Sequence, residues 1–112
     1  ELQVLDNSHP KYAKLHPAQF HASAYSMAAA RRGYQRPVGQ WNHQKVTVKG
    51  HTIRVELNGY EILNTDLSKL DPSKLRYDLK KFKGRLRTKG YFGFAGHGSA
   101  VAFKNVRIKK LD

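Results

Sequence analysis

The stretch from Trp41 to Asn64 constrains the fold most. Val46 and Val48, then Ile53, Val55 and Leu57, alternate with Lys45, Thr47, Lys49, Thr52, Arg54 and Glu56. A period of two is the mark of strands with one buried and one wet face. Gly50-His51 offers a tight turn after the first run. Asn58-Gly59 is the favoured dipeptide of a two-residue type I′ hairpin, because both residues tolerate positive φ. Three consecutive antiparallel strands are therefore predicted, over residues 44–49, 52–57 and 60–64.

Further strands are expected at 2–5, 22–29, 91–95 and 100–110. In the last of these, the spacing of two breaks between Phe103 and Val106, which predicts a bulge near Lys104-Asn105. Trp41, just before a strand, is expected in the core. The segment 66–90 reads as a long basic loop insertion with one short helical turn, and Pro10, Pro17, Pro37 and Pro72 mark other loops or breaks. Short strands, close-set turns and no strong amphipathic helix predict an all-β, antiparallel β-sandwich.

The 112 residues suffice for one domain and not for two, so a single domain over 1–112 is expected. Glu1 enters an alternating pattern with no Met and no lead-in, as a fragment of a longer domain does. No signal peptide and no run of some eighteen apolar residues is present, so no membrane span is expected. The absence of cysteine excludes disulfides and thiolate metal sites. A formal charge of +13 implies attraction to polyanions or to an acidic partner and carries no information about fold.

Three segments in order, ELQVLDNSHP, PVGQWNHQKVTVKGHTIRVELNGYEI and GYFGFAGHGSAVAFKNVRIKKL, resemble the C-terminal two thirds of the 3-keto-disaccharide hydrolase domain family. The resemblance implies a concanavalin A-like jelly roll, incomplete at its N-terminus, whose concave face binds carbohydrate. It also implies hydrolase or lyase chemistry on 3-keto-glycosides and a bacterial periplasmic or secreted setting. The family's strands before ELQVLDN are not in this sequence, which leaves sheet edges unpaired unless a second chain supplies them. The family's Gln-Asp-His-Gly reads Ala95-Gly96-His97-Gly98 here, without the Asp.

A 3-keto group acidifies the C2 proton, so cleavage needs a base, a group that polarises the ketone and an acid for the leaving oxygen. Glu1, Asp6 and His97 are the candidate catalytic residues, and Gln3, Asn7, His9 and Tyr25 the candidate substrate-binding ones. The alternative for Glu1 and Gln3 is an ordinary solvent face, and for His97 a turn histidine. Asp6, His9 and His97 offer oxygen and nitrogen ligands to a divalent metal, although no His-x-His or His-x-x-x-His spacing accompanies them. His16, His21, His43 and His51 are expected at the surface or in packing.

Lys80, Lys81, Lys83, Arg85 and Arg87, with Lys89, Arg31, Arg32 and Arg36, form a second candidate site, for polyanions. No nucleic-acid motif accompanies them, which ranks nucleic acid behind carbohydrate. A carbohydrate-active enzyme domain is the leading expectation. A non-catalytic glycan-binding or assembly module is the alternative, and polyanion binding the third.

Overall fold

A computed structural model describes residues 1–111. Asp112, the last residue of the predicted domain, lies outside the described residues. The chain is mostly non-helical and carries one three-stranded antiparallel sheet in the order β1(Gln44–Lys49), β2(Thr52–Leu57), β3(Tyr60–Asp66). These are the three strands the alternation predicts, with β3 two residues longer.

Both turns have the backbone their residues favour. Gly50 has φ +59°, and Asn58 and Gly59 have φ +52° and +88°. Asn58 does more than turn. Its Oδ1 accepts from the His43 amide at 2.9 Å, and its Nδ2 donates to the Tyr34 carbonyl at 2.8 Å and to Asn42 Oδ1 at 2.9 Å. The tip of the β2–β3 hairpin thereby holds the loop that leads into β1.

The ladder between β2 and β3 slips at Val55/Glu56, where Val55 pairs with Leu63 and Glu56 with Glu61. Ile62 is the extra residue of a bulge. Its side chain and that of Leu63 are both buried, which strict alternation forbids, and its carbonyl accepts from the Arg31 amide at 2.7 Å. That hydrogen bond ties the segment 22–31 to the sheet.

The core lies between that segment and the inner face of β2 and β3. Ala22, Ala24 and Ala30 pack with Val55, Leu57, Ile62, Leu63 and Leu67. Small side chains let an irregular backbone approach the strands closely, and Ser23 satisfies the buried Ala30 amide with its Oγ at 3.0 Å.

The predicted strand at 22–29 does not form. Ala22 and Ser26 take φ +63° and +64°, and only isolated bridges, Leu2 with Ala24 and Ala24 with Ala28, replace a ladder. The predicted N-terminal strand reduces to that bridge and two backbone bonds, from Gln3 to the Ser23 carbonyl and from Ala22 to the Gln3 carbonyl. Among the described residues, 91–95 and 100–110 are also not strands, and a second sheet is not present. The break expected at Lys104-Asn105 is real as a kink, since Asn105 has φ +54°, but it interrupts no ladder.

Two burial expectations also fail. Trp41 is half exposed, with the Lys104 ammonium 4.1 Å from its ring centre, and not in the core. Val46 and Val48 share a face with Val55 and Ile53, yet they are 41% and 58% exposed. The alanine-rich segment packs on β2 and β3 and not on β1, so among the described residues the alternation in β1 marks a face left partly open.

Leu57→Ala is expected to destabilise the chain by about 3 kcal/mol, because it opens a cavity in the core. Val46→Ala, in the same sheet, is expected to cost under about 1 kcal/mol. Urea unfolding of the two variants measures the contrast, and equal losses would show that β1 is covered as β2 is.

Candidate functional site

The N-terminal segment is pinned by side chains rather than by a ladder. Leu5 donates its amide to His21 Nδ1 at 3.2 Å, and His21 Nε2 lies 2.8 Å from Gln44 Oε1. Because Nδ1 accepts, the neutral ring carries its proton on Nε2 and donates to Gln44. Asn7 joins the same network, taking the His21 amide on Oδ1 at 2.8 Å and giving its own amide to Gln35 Oε1 at 3.0 Å. Gln35 Nε2 in turn donates to the Leu5 carbonyl at 2.6 Å. His21 is thus a packing histidine, and Asn7 a fastening of the fold.

Asp6 has a specific local task. Its Oδ1 accepts from the Ser8 amide at 3.0 Å and the Ser8 hydroxyl at 2.6 Å. Asp66-Leu67-Ser68 and Asp71-Pro72-Ser73 repeat the arrangement, so all three are turns closed by an aspartate. The Ser8 hydroxyl and amide hold the Asp6 pKa below the ordinary carboxylate value, and His9 adds a smaller push in the same direction. Asp6 is an ionised anion near neutral pH and a weak proton acceptor.

His9 caps the short 3-10 turn Pro10–Tyr12, its Nδ1 accepting from the Lys11 amide at 3.2 Å. Glu1 is exposed, and its carbonyl holds the Tyr25 amide at 3.0 Å, so Glu1, Gln3 and Tyr25 lie along one seam. His97 stands exposed between Gly96 and Gly98, the latter with φ +83°. Among the described residues it has no hydrogen bond or ion pair to Glu1 or Asp6. The structure therefore groups Asp6, Asn7 and His9 on one loop and leaves His97 on another. Among the described residues no group of three or more His, Asp and Glu side chains is arranged to hold a metal, so Asp6, His9 and His97 do not converge as a ligand set.

Tyr25 and Lys81, assigned to different sites by sequence, meet in one open cleft of about 330 Å³ lined also by Ser26, Tyr77 and Phe82. The Tyr25 hydroxyl accepts from Gln19 Nε2 at 3.1 Å and from Arg76 Nη1 at 3.5 Å. The Arg76 guanidinium lies 4.7 Å from the Tyr77 ring centre, and Tyr77 and Phe82 are 6.5 Å apart. Tyr77, Phe82 and Arg76 sit inside a segment that reads as basic loop. Asp71 and Asp78 shape it, each taking an amide two residues on and starting a short 3-10 turn, Pro72–Lys74 and Leu79–Lys81. Asp78 before Leu79-Lys80 was the legible signal for the second turn.

Lys80, Lys81, Lys83 and Arg87 are exposed, and Arg85 is half buried, its Nε without a hydrogen-bond partner among the described residues. Arg32 stacks on Phe20 at 4.2 Å. Arg36 donates to the Trp41 carbonyl at 2.9 Å. Among the described residues no helix is long and apolar enough to cross a membrane.

A solved structure from Parabacteroides distasonis, provisionally described as a glycosyl hydrolase, superposes with a TM-score of 0.58 at 28% identity, over 61% of this chain and 35% of that one. The fold thus falls among β-rich, glycosyl hydrolase-like structures. More specifically, the model of the 3-keto-alpha-glucoside-1,2-lyase-like domain matches residues 1–109, and the chain belongs to that family. A 3-keto-disaccharide hydrolase from Bacteroides thetaiotaomicron is 34% identical over a 127-residue alignment that takes in all of this chain and 44% of that protein. The chain spans less than half the length of either relative.

Burial pushes the His21 pKa below its ordinary value of 6.5, against a smaller opposing effect of the Gln44 hydrogen bond. The unfolded chain therefore binds the His21 proton more readily than the folded one. Stability is expected to be full above about pH 6.5 and to fall as pH drops from there toward the folded-state pKa. Urea midpoints at pH 7.5 and 5.5 check this, and His21→Gln should flatten the difference.

Proposed function

We propose that this chain acts on carbohydrate as part of a domain that cleaves 3-keto-glycosides, and that its complete fold is a concanavalin A-like jelly roll. The observation that carries the reading is the family match over residues 1–109, which takes in both the Glu1–His9 segment and His97. The hydrolase-named relative and the glycosyl hydrolase-like neighbour support it.

In the reaction proposed, a base removes the C2 proton beside the 3-keto group, the electron pair forms the C1–C2 double bond, and the glycosidic oxygen leaves C1 with a proton. Water then adds across that double bond and releases the free sugar. His97, exposed and flanked by glycines, is the group proposed to carry the proton, since imidazole exchanges one near neutral pH. Glu1 is the proposed carboxylate base. Asp6, held ionised by Ser8, suits a negative field or a hydrogen-bond acceptor better than a base. Tyr25, with the Tyr77 and Phe82 rings beside it, offers aromatic faces to a sugar ring.

The test mixes the purified chain with a 3-keto-disaccharide and with its unoxidised parent and follows free monosaccharide. Release from the keto sugar alone is expected, with His97→Ala lowering kcat/KM by about 10²- to 10⁴-fold. Because His97 is exposed and makes no hydrogen bond among the described residues, the variant should keep the parent urea midpoint. Equal cleavage of the parent sugar, or undiminished activity in His97→Ala, contradicts the reading; binding of either sugar without turnover would favour a glycan-binding module.

A further inference from the structure

The cleft around Tyr25 is walled by two separate segments, one carrying Tyr25 and Ser26 and the other Tyr77, Lys81 and Phe82. Backbone bonds tie the two walls together. The Ser26 amide donates to the Ala18 carbonyl at 2.9 Å, and the Ser26 carbonyl accepts from the Arg76 amide at 3.0 Å. All five lining residues lie outside the three segments that carry the family resemblance. Ser26 and Lys81 have no part in the chemistry proposed above.

Two hydroxyl protons remain free in this cleft. Gln19 Oε1 takes the His16 amide at 3.0 Å, so Gln19 faces Tyr25 with its Nε2 and donates to the tyrosine oxygen at 3.1 Å. Arg76 Nη1 donates to the same oxygen at 3.5 Å. The Tyr25 oxygen thus accepts twice, and its own proton is left for another acceptor. Ser26 is 1% exposed, and among the described residues its Oγ has no hydrogen-bond partner. A buried hydroxyl without a partner is costly, and native folds keep few of them. Lys81 adds an exposed ammonium, and none of the five lining residues is acidic.

Aromatic walls suit the apolar face of a pyranose ring, and a cation with two free hydroxyl protons suits an oxyanion on that ring. A volume of about 330 Å³ stands at the small end of the range for ligand clefts and matches one ring rather than a long glycan. One ammonium matches one negative charge. A carboxyl group joined directly to the ring stands beside a stacked ring, whereas a sulfate ester hangs from it by a rotatable oxygen. We propose that the cleft binds a sugar residue bearing a carboxylate, a glycuronic acid, and so sets the substrate class of the carbohydrate activity proposed above, on which this inference rests. Tyr77 and Phe82 hold the ring face, Lys81 pairs with the carboxylate, and the Tyr25 and Ser26 hydroxyls donate to its oxygens. The formal charge of +13 draws acidic glycans toward the chain without choosing among them.

The experiment titrates the full chain with methyl glucuronide, methyl glucoside and a sulfated methyl glucoside, and follows the protein's amide chemical shifts by NMR. The glucuronide is expected to bind about five- to tenfold tighter than the glucoside, with the largest shifts at Ser26 and Tyr77 and a preference that shrinks as salt is added. Lys81→Gln should abolish the preference. Ser26→Ala should weaken glucuronide binding without lowering the urea midpoint, because no hydrogen bond within the fold is lost; a midpoint that falls while binding holds would make Ser26 structural and overturn its role. Equal binding of glucuronide and glucoside overturns the proposal and leaves the carbohydrate reading standing. Tighter binding of the sulfated sugar overturns the choice of a carboxylate. No shift with any of the three sugars overturns the proposal as well, and release of monosaccharide from the 3-keto-disaccharide then decides whether the carbohydrate reading falls with it.

Discussion

The bulge at Ile62 is the constraint on which the rest of the chain depends. By placing one extra residue in β3 it turns two successive apolar side chains, Ile62 and Leu63, onto the same core, and it frees a carbonyl from the ladder. The Arg31 amide takes that carbonyl at 2.7 Å and so anchors the alanine-rich segment across β2 and β3. The N-terminal residues then hang on that segment, through the Leu2–Ala24 bridge and the bonds among Gln3, Ala22 and Ser23. Glu1, Gln3, Asp6, Asn7 and Tyr25 owe their positions to this sequence of attachments.

Coverage of the sheet explains the remaining asymmetry. The alanine-rich segment reaches far enough to bury Val55 and Leu57 but leaves Val46 and Val48 of β1 half open. Trp41 and the segment 91–111 are also open to solvent, and they touch each other through Lys104 and Trp41. The same polypeptide therefore holds a closed core at β2–β3 and an open apolar surface beside it. The family relationship places this arrangement within longer proteins, of which the chain spans 44% and 35% in the two relatives described.

The three-strand meander was readable from sequence because its determinants are local: period-two alternation, Gly50-His51 and Asn58-Gly59. The segment 22–31 was not. Alanine and serine fit strands or close-packed irregular chain, and positive φ at Ala22 and Ser26 is imposed by packing that no local rule encodes. Alternation at 91–95 and 100–110 reports a capacity to pair, and pairing needs a neighbour that alternation cannot supply. Of the candidate site, the Asp6 turn is a local Asp-x-Ser feature shared with Asp66 and Asp71, whereas the meeting of Tyr25 with Tyr77, Lys81 and Phe82 joins residues some fifty positions apart.

Site-resolved amide hydrogen exchange on the chain alone tests this account most directly. Slow exchange is expected at Val55, Leu63 and Arg31, whose amides belong to the sheet or to its anchor, with fast exchange throughout 91–111. Protection across 91–111 equal to that of β2 would mean that this segment already has a ladder, and would contradict the division of the molecule into a closed core and an open edge.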